Sequence, residues 1–579
     1  MAEPISLLLS HFDDGRPVLE DMDREGDEEG RAPDQESSAT HLSNQSADPN
    51  DLEQQRWGLV IPQGEEGQRL KSLIQPLINR RQEQQGGRPI QIFEVPPDMS
   101  PVDAALWKKK TFESGGVFAD DVPRYVTILG DLHQVSLGLQ QVLCSDSFPG
   151  RLCFDAEADY ERYVQKVLDW EKNPSAAEKA QAIYHTVHDG TAATTVGYRA
   201  LIKPGMDLMR RKMEEDKQTL ALMRPGGRPP VDLLPIEALV ESGDLYNPLQ
   251  DQLLKSVNTS LPSVLFTLSH GSGPPRAGWG SSGDKLAKQG ALSFGANGHF
   301  SAADLGDAPF VPGGIWFMLA CFGGGTPAVS PYFHWLQGLK EQGQFRGRVE
   351  GVLDALPKTG ERPFVAQLPK AALASSKGPL AVMAHLDLAW TYSFQDLDSG
   401  ATNRPARFMT IVRRLLEKKR AGVALQELLR FLGQVESELA MQADAKAMGM
   451  PENPARQGHL WMLRQDLAGY VLLGDPAVHL PLKTPTLVPP PSVSADIQTQ
   501  PAPLSGAAEP SGSTLSSAAV AAPAPALPLP LPKLEEAIAK VILGDQSTKA
   551  IAAEYLLDRD QLQDLTDRYQ AAGRKALGG

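Results

Sequence analysis

Two stretches decide the fold: Val264-Leu265-Phe266-Thr267-Leu268-Ser269-His270-Gly271-Ser272-Gly273 and Ile315-Trp316-Phe317-Met318-Leu319-Ala320-Cys321-Phe322-Gly323-Gly324-Gly325. Each opens on a short apolar run rich in β-branched or aromatic residues and closes on glycine, the pattern of a buried strand in a parallel sheet. About fifty residues separate His270 from Cys321, enough for the crossover that parallel neighbours need. Two such strands side by side bring His270 and Cys321 together at their carboxyl ends, where open α/β sheets place their ligand crevices. A thiol beside an imidazole in that position is a nucleophile with its acid/base. Taken singly, a buried cysteine is a small hydrophobe and a histidine a satisfied polar residue. The joint pattern, both groups at strand ends with glycine following, favours chemistry.

The same residues resemble a family. His270-Gly271 after one strand and Ala320-Cys321-Phe322-Gly323 after another resemble the dyad of the caspase-like cysteine peptidases of clan CD, and more closely their gingipain-like and CHAT branches. Downstream, Leu380-Ala381-Val382-Met383-Ala384-His385-Leu386-Asp387-Leu388-Ala389-Trp390-Thr391-Tyr392-Ser393-Phe394 and Tyr470-Val471-Leu472-Leu473-Gly474-Asp475-Pro476-Ala477 are similar to strand segments of those bacterial enzymes. Upstream, Tyr125-Val126-Thr127-Ile128-Leu129-Gly130-Asp131 resembles a strand of the gingipain N-terminal subdomain. The resemblance spans residues 57–482. It is specific at the dyad and looser elsewhere.

The resemblance implies an α/β caspase-hemoglobinase (gingipain-like) fold, with a mainly parallel sheet in a catalytic subdomain and a smaller α/β subdomain before it. It implies Cys321 as nucleophile, His270 as acid/base, and the backbone N–H groups of Gly271 and Cys321 as the oxyanion hole, Gly271 leaving room for close approach. In gingipain-like enzymes the strand after the nucleophile strand helps line the primary pocket, which points to Trp390 with Phe394 beyond it. An indole face there could stack on an Arg or Lys side chain. Asp304 is grouped with them on the substrate side and is one candidate among several for orienting His270. The Asp that precedes the nucleophile in metacaspases is absent from Phe317-Met318-Leu319-Ala320-Cys321, so cleavage after Asp, Arg or an apolar residue stays open. No metal or cofactor is implied.

Composition sets the boundaries. With 579 residues, 41% hydrophobic and 22% charged, the chain is long enough for several domains. Its net charge of −15 argues against general affinity for nucleic acid, which relies on Lys and Arg. Three cysteines make a disulfide framework improbable. Cys144 and Cys153 have no second ligand pair for zinc, and His185 and His188 lack further ligands, leaving them a surface or structural role. No run reaches the roughly twenty apolar residues of a membrane span, and the apolar piece Ile5 to Leu9 lacks a signal peptide's basic flank and cleavage site. The expected setting is cytoplasmic, unlike that of the secreted gingipains.

In chain order, residues 1–55 form an acidic N-terminal segment expected to be mobile, with a propeptide-like cover on the site as the other reading of its stretch from about Asp13 to Gln55. Residues 56–216 read as the N-terminal α/β subdomain, with strands near 57–62, 90–95 and 125–129 and a helix over 157–170. Residues 217–482 read as the catalytic subdomain. In it Ile236, Leu239 and Val240 suggest a helix-rich approach to the His270 strand, the glycine-dense loop 271–290 flanks the dyad as a substrate groove, and helices follow at 406–416 and 422–439. Residues 483–532 are a Pro/Ala-rich linker. Residues 533–579 resemble a transposase-type helix-turn-helix, forming a small all-α module. Its acidic stretch Asp558-Arg559-Asp560-Gln561-Leu562-Gln563-Asp564 would repel phosphate, which favours a protein partner over DNA.

The expected activity is limited proteolysis of a protein target by a cytoplasmic cysteine endopeptidase. The resemblance extends it to antiphage defence through a gasdermin-like pore-former. The alternatives are a non-catalytic scaffold and a DNA-binding regulator, both acting through the C-terminal module.

Overall fold

The computed structural model describes residues 7–18, 48–113, 121–175, 177, 180–212, 236–242, 250–343, 349–396, 402–483 and 562. The chain divides into two compact units, Met1–Val488 and Pro489–Gly579. The expected C-terminal module and nearly all of the linker lie outside the described residues, Leu562 apart.

Ten strands of the first unit form one sheet in the order Gln91–Val95, Trp57–Pro62, Tyr125–Leu129, Phe148–Leu152, Tyr470–Gly474, Ala381–His385, Ile315–Leu319, Ser263–Leu268, Ala180–Thr186, Ile236–Ser242. Every neighbouring pair is parallel except Ala381–His385 with Tyr470–Gly474. The mainly parallel α/β sheet expected from the apolar runs is thus present, as two parallel halves meeting at one antiparallel seam. Ser263–Leu268, Ile315–Leu319 and Ala381–His385 are buried at every position. Burial on both faces is why they are continuously apolar in sequence.

Register then positions the reactive groups. Leu268 lies opposite Leu319 in the parallel ladder, so His270 and Cys321 each emerge two residues beyond the same level. Their strand ends are adjacent because the two runs have equal lengths and matching glycine stops.

Three expectations need correction. Ala180–Thr186, assigned with the N-terminal subdomain, pairs with Ser263–Leu268 in the other half of the sheet, so a boundary at 216 does not divide the sheet. Ile236–Ser242 is the parallel edge strand beside it rather than a helix; the spacing of Ile236, Leu239 and Val240 satisfies either element.

The third correction concerns the N-terminus. Leu9–His11 is a strand paired in parallel with His270–Gly273, at the edge of a four-stranded sheet completed by Leu292–Ser293 and His299–Phe300. Leu7, Leu8 and Leu9 are each 0% exposed. Burial of a leucine contributes about 1.5–3 kcal/mol, against roughly 1–2 kcal/mol for fixing each residue's backbone. The leucines therefore offset their own ordering, which a reading weighted on the acidic residues farther along overlooks. Residues 48–55 are likewise built into the fold, with the short helix Leu52–Gln55 capped by the Asp51 side chain, while residues 19–47 lie outside the described residues.

Candidate active site

Cys321 follows its strand by two residues and is 0% exposed. Phe322, next in sequence, holds φ at 55°, an uncommon conformation for a bulky residue that costs on the order of 1–3 kcal/mol. The turn is pinned: Phe322 N–H donates to Asp387 O at 2.8 Å and Gly324 N–H to His385 O at 2.7 Å. Gly290, at φ +80°, passes so close that a Cβ would meet Phe322 O at 2.1 Å. These contacts hold the Cys321 turn from two sides.

The thiol sits between the backbone groups of Ala389. Ala389 N–H donates to Sγ at 3.2 Å, and Sγ lies 3.6 Å from Ala389 O. Burial pushes the thiol well above its ordinary range, and the neighbouring carboxyls of Asp387 and Asp466 add to that against the Ala389 hydrogen bond. Both carboxyls are buried as well. Desolvation raises each to about 7, in Asp387 against hydrogen bonds from Ser330 and Leu388, and in Asp466 against those from Trp390 and Ser393.

His270 Nε2 lies 2.9 Å from Thr191 Oγ1, and the hydroxyls of Thr191 and Thr194 donate to Asp189 Oδ1 at 2.8 and 2.7 Å. With its own hydrogen committed to Asp189, the Thr191 hydroxyl can only accept from His270, so the imidazole carries its proton on Nε2. Nδ1 is then a bare lone pair, buried and without a hydrogen-bond partner. The second Asp189 oxygen stands 3.8 Å from Nε2. Burial lowers the imidazole's proton affinity and the Asp189 carboxylate restores part of it. No hydrogen bond joins thiol to imidazole in this arrangement, and the environment of each favours its neutral form.

Gly271 packs directly on Cys321, where a Cβ would lie 1.8 Å from Cys321 O and 2.9 Å from Cys321 N. As a result two N–H groups point at one place. Gly271 N–H donates to Leu8 O at 2.8 Å and Cys321 N–H donates to the same oxygen at 3.3 Å. Leu8 N–H donates to Ala389 O at 3.4 Å, and Leu7 forms an antiparallel bridge with Trp390.

The other expected residues sit differently. Trp390 is fully buried, its backbone N–H donating to Asp466 Oδ1 at 2.9 Å and its ring packed on Tyr332 and Trp335. It meets the N-terminal segment through its backbone. Phe394 is core, packed against Phe408. Asp304 closes a capping box with Ser301 on the short helix Ala302–Leu305; the carboxylate that faces His270 is Asp189. His185 is buried in the strand Ala180–Thr186, where burial lowers it to about 4. Among the described residues, no group of three His, Cys, Asp or Glu side chains could hold a metal, and no helix is long and apolar enough to cross a membrane.

Sequence reasoning missed Asp189, Thr191 and Leu8. The signal for the first two was the run Ala180-Gln181-Ala182-Ile183-Tyr184-His185-Thr186, a strand in its own right, which delivers Asp189 to the same sheet end as the dyad.

No family model matches the chain, and no curated protein matches it. Among solved structures it is similar to the Arg-specific cysteine proteinase gingipain R, with a TM-score of 0.39 at 14% identity over 75% of this chain and 80% of that one. It is also similar to the complex of Porphyromonas gingivalis RgpB pro- and mature domains, at 0.38 and 13% over 74% and 80%. A third structure, described as a protease, gives 0.39 and 11% over 73% and 78%.

Proposed function

We propose that this chain is a caspase-like cysteine endopeptidase in which Cys321 is the nucleophile and His270 the acid/base. The single observation that carries the reading is the convergence of Gly271 N–H and Cys321 N–H on one peptide carbonyl oxygen, 2.8 and 3.3 Å away. Two fixed donors at a carbonyl beside a thiol are what a tetrahedral intermediate needs, because charge develops on that oxygen as sulfur attacks. The bare Nδ1 of His270 is the atom that takes the thiol proton and then delivers it to the departing amine. Asp189, acting through Thr191, is a positioning group that holds Nε2 protonated.

The test compares wild type with Cys321→Ala on a mixed peptide library, with a thiol-directed probe alongside. Hydrolysis and labelling lost together in the variant are the expected result. A folded wild type that neither hydrolyses nor labels overturns the reading.

Asp189→Asn is expected to lower kcat about 10- to 100-fold, in the range of general acid–base effects. A carboxylate favours the imidazolium, so its removal lowers the His270 pKa, and the acidic limb of kcat/KM moves to lower pH. An unchanged acidic limb removes Asp189 from the mechanism.

On resemblance alone, the finer setting is a cytoplasmic enzyme that cuts a gasdermin-like pore-former in antiphage defence, recruited through residues 533–579 to a protein partner. Vesicle leakage after incubating enzyme with such a pore-former tests the target. Retention of DNA by residues 533–579 at low salt would replace the protein partner with nucleic acid.

A further inference from the structure

The carbonyl held by the two donors belongs to the chain itself, and the surroundings of Leu8 are those of a bound peptide. Its oxygen accepts from Gly271 and Cys321, and its N–H donates to Ala389 O. The residue before it bridges Trp390 in antiparallel fashion. The residues after it continue as a strand, Leu9 opposite Gly271, Ser10 opposite Ser272 and His11 opposite Gly273. The segment therefore runs past Cys321 with the Leu8 carbonyl held on the Cys321 backbone N–H and the Leu8 N–H on the same Ala389 whose backbone groups flank the thiol.

A latch beyond the bond keeps it there. His11 N–H donates to Arg16 O at 2.8 Å and Val18 N–H to Leu9 O at 2.9 Å, closing a hairpin. His11 Nδ1 lies 2.9 Å from Pro274 O, Phe12 stacks on His299 with ring centroids 4.5 Å apart, and Arg276 pairs with Asp14 at 3.1 Å. The hairpin is anchored downstream of Leu9, so a cut before Leu9 would free the preceding residues and leave the anchor in place.

We propose that residues 7–9 occupy the site as a substrate does, that the Leu8–Leu9 bond is one the protein cuts in its own chain, and that the site takes peptides with a leucine-like apolar residue before the scissile bond. This rests on the peptidase reading and adds the bond and the substrate class. The Leu8 side chain is wholly buried, a position in which a charged side chain would need a buried partner.

In the reaction Cys321 Sγ bonds to the Leu8 carbonyl carbon as the thiol proton passes to His270 Nδ1. The C–N bond to Leu9 breaks, and the Leu9 amine takes that proton. Water then adds to the thioester, its proton passes through the imidazole to the departing thiolate, and the peptide ending at Leu8 leaves with a carboxyl group. Water is the sole co-reactant.

The experiment is an intact-mass and N-terminal measurement on the purified full chain, for wild type, Leu8→Asp and Cys321→Ala, with Cys321→Ser as a second inactive form should the alanine variant fail to fold. The expected wild-type chain begins at Leu9, both Cys321 variants keep the residues before it, and Leu8→Asp slows the cut at least tenfold. Peptides differing only in the residue before the cut should be hydrolysed at least tenfold faster with Leu than with Arg or Asp. An uncut or differently cut N-terminus overturns the proposal, as does preference for Arg or Asp. If the same preparation hydrolyses peptides and its Cys321 takes the thiol probe, the peptidase reading survives that outcome. If it does neither, both fall together.

Discussion

Gly271→Ala is expected to lower kcat by about 10³-fold or more while leaving both reactive side chains in the sequence. The added Cβ would sit 1.8 Å from Cys321 O and 2.7 Å from its carbonyl carbon, both of them backbone atoms that no rotamer change can move. Relief requires the two strand ends to separate by more than an ångström. That withdraws the Gly271 N–H from the carbonyl it now reaches at 2.8 Å. Loss of one oxyanion donor costs about 10²–10³ in kcat, and misplacing the thiol against its target adds up to roughly another 10². Overpacking should also cost about 1–3 kcal/mol of stability, read from urea unfolding. Gly283→Ala is the control. It lies in the helix Ser282–Lys288, its Cβ would meet nothing nearer than 3.6 Å, and activity should be unchanged. If Gly271→Ala keeps wild-type kcat, the donor pair has no catalytic part.

The candidate site is readable in sequence wherever one strand end carries the information. His270, Gly271 and Cys321 each follow an apolar run by two or three positions, and the parallel register brings them to one level. Asp189 has a fainter signal, because the strand that delivers it carries Gln181 and His185 among its apolar residues and precedes Ser263–Leu268 by some eighty positions. Asp304 looked better in sequence because it lies between the dyad residues, yet its carboxylate is committed to Ser301. Leu8 was invisible for another reason. A segment paired with residues some 260 positions away leaves no local signature, and three leucines near a terminus suit many roles. Phe394 shows the opposite error, an aromatic side chain assigned to a pocket when the core needed it.

The second large effect is expected far from the thiol, in the buried knot that ties the ends of the sheet's first half together. Asp475, just past the seam strand Tyr470–Gly474, is 0% exposed and accepts from Arg81 Nε at 2.7 Å, from Trp57 Nε1 at 3.0 Å and from Ala477 N–H at 3.0 Å. Arg81 is equally buried and pairs a second time with Glu171 at 2.6 Å. Asp475→Ala leaves that guanidinium with one carboxylate where it had two, and strands the Trp57 and Ala477 donors. Breaking a buried pair from one side costs about 3–5 kcal/mol, so the urea midpoint should fall steeply. Arg81→Met should cost much less in the Asp475→Ala background than in wild type, since the charge it removes is by then the liability; equal costs in both backgrounds would mean the pair is not coupled. Acid should weaken the same knot. Burial raises the Glu171 carboxyl, but Arg81 and Arg80 outweigh it and hold it at about 2, below its unfolded value of about 4.3. Its contribution is present above the unfolded pKa and is lost as pH falls from there towards 2. Asp475→Ala should therefore flatten the acid limb of stability as well as lower the whole curve, because Glu171 and Arg81 would no longer be held in one fixed geometry.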